Sequence, residues 1–208
     1  MPSVLYFHGF ASSPHSRKVT SLRELLAPDG ITLDTPDLNV PSFERLDFNA
    51  MVDLGVARGR ANPPRAIVGS SLGALVALAV AKRGTDAPLV LIAPALGIAA
   101  RWIDELPDGD PISVFNHARN GQAPIHRAFF EGMARVGVDR QPPAQPVTVI
   151  AGGNDESVGF ENIERVWREW EASGQLAAGS RFIDIPNGDH GLVDFVETIA
   201  AEVRRATG

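Results

Sequence analysis

The stretch Ala66-Ile67-Val68-Gly69-Ser70-Ser71-Leu72-Gly73-Ala74-Leu75-Val76-Ala77-Leu78-Ala79-Val80-Ala81-Lys82-Arg83 carries the fold decision. A short β-rich run passes without a gap into Gly-x-Ser-x-Gly, and from there into a segment of Ala, Leu and Val that turns polar only at its end. That composition predicts a helix over 72–83 buried nearly all round, as beside a central strand. A strand that turns directly into a helix leaves no room for side chains at the flanking positions. Glycine is therefore needed at 69 and 73, and the serine between them is held in a strained conformation at the tip. Its hydroxyl is lifted clear of the sheet and stands at a helix N-terminus, where free N–H groups can face an anion. The bland reading is an ordinary βα turn with a capping serine. The strand–turn–helix setting favours the nucleophile reading, with Ser71 as the nucleophile. Ser70 is the rival hydroxyl, but it lacks the symmetric glycines.

Outward from this turn, short apolar runs recur at Val4–Phe7, Ile31–Leu33, Leu89–Ile92, Val147–Ile150 and Arg181–Ile185. Most are continuously apolar, which suits strands covered on both faces. Between them lie helix candidates at Ser16–Leu26, Phe43–Gly59, Val158–Ala172 and Leu192–Arg204. The alternation predicts an α/β chain: a reduced, mostly parallel sheet of about six strands with helices on both faces, in one domain over 1–208. Residues 95–145 break the rhythm, being longer than one crossover helix needs. They read as a cap or lid insertion, or as an irregular crossover with one or two surface helices.

A serine hydroxyl needs a base to take its proton. His190, in Asn187-Gly188-Asp189-His190-Gly191, follows the last strand and so opens on the C-terminal edge of the sheet, where Ser71 also lies. The acid that orients the histidine falls between serine and histidine in chain order. Asp155, in Gly152-Gly153-Asn154-Asp155-Glu156, meets that condition; Glu156 is the neighbouring rival and Asp189 a weaker one. The oxyanion donors expected are the backbone N–H of Leu72 and, from the loop after the first strand, that of Phe10, with Ala11 as the alternative. His8, in Phe7-His8-Gly9-Phe10, reads as a structural histidine of that loop.

The 208 residues, 44% apolar and 21% charged, supply a large core without staples. With 19 Lys and Arg against 25 Asp and Glu, the net charge of −6 argues against nucleic-acid binding. Cysteine is absent, which removes disulfide, zinc-thiolate and cysteine-nucleophile readings. No secretory pattern opens the sequence and no apolar run is long enough to span a bilayer, so cytoplasm is the default expectation. Neither G-x-G-x-x-G nor a Walker pattern follows any strand.

These residues resemble an α/β-hydrolase and, more narrowly, the small bacterial YqiA-type esterases. The resemblance rests on His8-Gly9-Phe10, Ser12-Ser13-Pro14, the elbow Gly69 to Gly73, the acid turn Gly152 to Asp155 and the base loop Gly188 to His190. It implies a Ser71–His190–Asp155 triad that cleaves a small-molecule carboxylic ester or thioester through an acyl-enzyme, with no cofactor and no metal. The rival expectations are a catalytically inactive binding protein on the same fold, and perhydrolysis or amide cleavage by the same triad.

Overall fold

The computed structural model describes residues 3–208, less the side chains of Ala99 and Ala100. In chain order the strands are β1 Ser3–Phe7, β2 Thr32–Asp34, β3 Ala66–Ser70, β4 Leu89–Ile92, β5 Ile112–Asn116, β6 Gly121–Ile125, β7 Val147–Gly152 and β8 Arg181–Ile185. The helices are α1 Arg17–Leu26, α2 Phe48–Ala61, α3 Leu72–Ala81, α4 Ala99–Asp104, α5 Ala128–Val136, α6 Phe160–Ala172 and α7 Val196–Thr207.

Six strands form one sheet in the order β2-β1-β3-β4-β7-β8, every pair parallel. These are the six runs picked out by their apolar content. Alternate residues feed two cores, as the two-residue period of a strand requires. Leu5, Phe7, Ile67, Leu89, Leu91, Val147 and Val149 pack with residues of α2, α3 and α6. Val4, Tyr6, Val68, Val90, Ile92 and Ile150 pack with Val19, Leu22 and Leu26 of α1 and Ile199, Ala200 and Val203 of α7. Every residue of α3 is buried, as its composition predicts.

Several boundaries move, each for a local reason. α2 starts at Phe48 rather than Phe43, because the Asp47 side chain caps it by accepting the Ala50 N–H at 3.0 Å. α6 starts at Phe160 rather than Val158, because Gly159 before it has φ 87° and ψ 123°, far outside the helical region. α7 starts at Val196, after a 3-10 turn at Val193–Phe195; Leu192 has φ 47° and gives its N–H to Asp189.

Residues 95–145 hold more than surface helices. Between α4 and α5 stands an antiparallel hairpin of β5 and β6, pairing Ile112 with Ile125 and Asn116 with Gly121. No strand was expected there, since Pro124 stands inside β6. A two-stranded ribbon consists of edges only, and an edge tolerates proline. The segment shares the larger core through Ile112, Ala123, Ile125, Phe129, Phe130 and Met133. Asp139 fastens its two ends. The carboxylate accepts the Gly97 N–H at 2.7 Å, and the carbonyl accepts the Trp170 Nε1–H of α6 at 2.9 Å.

Trp170 is almost fully buried and holds this clasp, so Trp170→Ala should cost about 3–5 kcal/mol in urea unfolding. Trp170→Phe, which keeps most of the volume and loses the indole donor, should cost clearly less.

Candidate active site

From β1 the chain runs outward to β2, then crosses back past β1 to β3 and the far half of the sheet. β1 and β3 therefore flank the switch point, where a crevice opens at the C-terminal sheet edge. The loops after β1 and β3 border this crevice, and the loops after β7 and β8 reach it from the other side.

The β3–α3 elbow is built from close backbone packing. A Cβ on Gly69 would lie 2.6 Å from the Ala74 Cα, and one on Gly73 would fall on the carbonyls of Phe7 and His8 in β1 and its loop. Ser71 has φ 53° and ψ −118°, a strained conformation for any residue with a side chain. Its neighbours enforce it: the Ser71 N–H donates to the Ile92 carbonyl at 2.9 Å, and its carbonyl accepts N–H bonds from Ala74 and Ala95.

The β7 and β8 loops are laced together. Gly153 N–H donates to the Ile185 carbonyl and Asn154 N–H to that of Gly188. Side chains at 152 or 153 would strike the carbonyls of residues 186–189, which accounts for two glycines just ahead of the acid. Asp155 is thereby buried, while Glu156 is exposed. Asp155 Oδ1 accepts the N–H groups of Ser157 and Val158, each at 2.9 Å, and Oδ2 lies 2.8 Å from His190 Nδ1. Burial by itself would raise the Asp155 carboxyl. The bonds from His190, Val158 and Ser157 outweigh it and hold the group below its ordinary value, hence ionised.

On its other side, His190 Nε2 lies 3.1 Å from Ser71 Oγ. With Asp155 accepting at Nδ1, the imidazole carries its proton there and presents a bare Nε2 to the serine hydroxyl. The His190 side chain is 29% exposed and that of Asp155 is fully buried, so solvent reaches the ring but not the carboxylate. The structure thus brings together Ser71, His190 and Asp155. It leaves aside Glu156 and also Asp189, which is exposed and bonded to the Leu192 N–H.

The loop after β1 lies against the elbow: a Cβ on Gly9 would sit 3.4 Å from the Ser71 Cβ. His8 holds this loop. Its Nδ1–H donates to the Gly9 carbonyl at 2.9 Å and its Nε2 accepts the Leu38 N–H at 3.0 Å. Burial lowers its pKa against the pull of Gly9 and Asp37, consistent with the neutral ring both bonds require. Among the described residues, the N–H groups of Phe10, Ala11 and Leu72 have no protein acceptor. Of the two loop candidates, Phe10 borders the crevice.

That crevice is a cavity of about 840 Å³ containing Ser71 and His190. The 95–145 segment contributes Trp102 and His117 to its wall, and Phe10 stacks on Phe129 with ring centroids 6.0 Å apart. One lining residue escaped the sequence reading. Lys18 of α1 is only 9% exposed, and its Nζ donates to Ser70 Oγ at 2.9 Å. Its signal was legible in principle: positions 18, 22 and 26 fall on one helix face, and the other two are buried leucines. Burial drives the Lys18 ammonium down to about 8, against the opposing pull of Asp189 and Asp155.

The sheet order, the elbow and the position of the serine, acid and histidine loops define an α/β-hydrolase fold. Solved structures of similar architecture include a putative hydrolase from Agrobacterium vitis S4 (TM-score 0.79, 18% identity, covering 100% of this chain and 88% of that one). Est1E from Butyrivibrio proteoclasticus with bound ferulic acid is also similar (TM-score 0.76, 17% identity, 99% and 87%). So is the esterase domain of a Rhodothermus marinus protein (TM-score 0.72, 21% identity, 100% and 88%). Within that fold the chain belongs to the family described as "Uncharacterised protein family (UPF0227)", which matches residues 3–201. No curated protein matches it in sequence. Among the described residues no helix is long and apolar enough to cross a membrane.

The depressed Lys18 pKa carries a stability consequence. Between about pH 8 and 10.5 the folded side chain is neutral while the unfolded one is charged, so the unfolded state binds more protons and stability rises with pH across that window. Below it the buried charge costs up to about 3 kcal/mol. Lys18→Met should therefore stabilise the protein at pH 7 by about 1–2 kcal/mol after loss of the Ser70 bond. The gain should shrink at pH 10, as read by urea unfolding at the two values.

Proposed function

We propose that this protein is a serine hydrolase that cleaves carboxylic esters or thioesters through an acyl-enzyme. The observation that carries the reading is the continuous chain of bonds from Ser71 Oγ through His190 to the buried Asp155 carboxylate. As Ser71 Oγ attacks the carbonyl, His190 Nε2 takes its proton. Asp155 keeps the imidazole in the required tautomer and stabilises the imidazolium that forms. The oxyanion develops beside the N-terminus of α3, where the Leu72 N–H, together with that of Phe10, holds it. His190 then protonates the leaving group, water takes the place of the alcohol or thiol, and a second passage releases the acid and restores Ser71. The strained Ser71 backbone supports this assignment, because such strain gathers at sites where geometry must be fixed in advance. The 95–145 segment acts here as a cap that shapes the acyl or alcohol pocket through Trp102 and His117.

Ser71→Ala should lower kcat for 4-nitrophenyl acetate by on the order of 10⁶ and abolish labelling by a fluorophosphonate probe. Asp155→Asn should cost about 10⁴ in kcat with little change in KM. Unaltered turnover in Ser71→Ala would remove the assignment.

A further inference from the structure

Burying an ammonium without a carboxylate partner is costly, and proteins keep such a group where it has work to do. Among the described residues Lys18 has no carboxylate within salt-bridge distance and one hydrogen-bond acceptor, Ser70 Oγ. An ammonium has three donors, so two are left over. Lys18 and Ser70 both line the cavity that contains Ser71, and Ser70 is the residue next to Ser71, with adjacent Cα atoms about 3.8 Å apart. The two carboxylates that act on Lys18 from a distance are already engaged. Asp155 is bonded to His190, Ser157 and Val158, and Asp189 to the Leu192 N–H. The remaining groups around the ammonium repel no anion. Tyr6 lines the same wall, its phenol kept protonated by burial, and Arg17 and His15 stand at the exposed margin. The first-turn N–H groups of Arg17 and Lys18, at the start of α1, also lack protein acceptors among the described residues.

We infer that Lys18, with Ser70 beside it, is a binding subsite for a carboxylate carried by the substrate, so that the cavity selects anionic esters over neutral ones of the same size. The inference rests on the esterase reading for its substrate and on the Lys18 environment for its subsite, and the two can fail separately. A compact ammonium deep in an otherwise mixed apolar wall suits one carboxylate. A phosphoryl group, with more oxygens and more charge, would call for a guanidinium fork at the same depth, and Arg17 lies at the rim. Phe10 and Trp102 supply an apolar surface for the rest of the molecule.

The test is inhibition of 4-nitrophenyl acetate hydrolysis by glutarate and by its uncharged counterpart glutaramide, in the wild type and in Lys18→Met. Glutarate should inhibit the wild type competitively and at least 10-fold more strongly than glutaramide, and Lys18→Met should remove that difference. A difference that survives in Lys18→Met overturns the assignment, as does equal or absent inhibition of the wild type by the two compounds. That second comparison needs no variant and decides the matter even if Lys18→Met fails to fold. Stronger inhibition by inorganic phosphate than by glutarate, lost in Lys18→Met, overturns the carboxylate assignment in favour of a phosphoryl group. Should the wild type hydrolyse no ester and resist the fluorophosphonate probe, the esterase reading fails by itself. Calorimetric titration of wild type and Lys18→Met with glutarate then still decides the subsite: binding to the wild type alone supports it, and binding to neither or to both overturns it.

Discussion

The backbone of Ser71 is the constraint on which the rest is built. A residue with a side chain is held at positive φ because three hydrogen bonds, to Ile92, Ala74 and Ala95, tie it at once to the end of β4, to its own helix and to the following loop. None of these bonds uses the hydroxyl. The conformation is paid for by main-chain contacts in the middle of the sheet, where six parallel strands and two buried faces make the framework stiff. In the proposed reaction the hydroxyl therefore arrives at its place with little ordering cost, which is what preorganisation means physically.

The same economy governs the partner loops. Gly152 and Gly153 let the β7 loop lie backbone to backbone on the β8 loop, so the carboxylate and the imidazole are set by main-chain lacing. Asp155 uses one oxygen on two N–H groups of its own loop and the other on His190. The first pair fixes the carboxylate plane and the second fixes the ring.

Much of this was legible in the sequence, and the reasons are physical. β1, β3, β4 and β7, covered on both faces, show as near-continuous apolar runs; the edge strands β2 and β8 are partly exposed and were visible from shorter apolar stretches at the right spacing. The elbow was visible because glycine at 69 and 73 answers a steric demand that no other residue meets. Helix starts were less visible: Phe43 is buried against Phe10 from a loop, and its apolar character imitates a first helical turn. The β5–β6 hairpin was hidden by Pro124 and by the lack of a continuous apolar run in Gly121–Ile125. Lys18 was overlooked because a lysine that follows Ser16 and Arg17 near a helix start looks like a solvated one. Only its register with Leu22 and Leu26 says otherwise.

The clasp at Asp139 has a bearing on how such chains diversify. β4 and β7 are neighbours in the sheet, and the fifty-odd residues between them leave and return through a neck closed by one aspartate. The entropy of closing such a loop changes only slowly with its length, by about 0.6 kcal/mol per doubling. Its exposed loops are therefore free to lengthen or shrink while the strands keep register, whereas the residues it buries in the larger core are not. The proposed triad and much of the cavity wall beside it thus lie on separate pieces of one polypeptide.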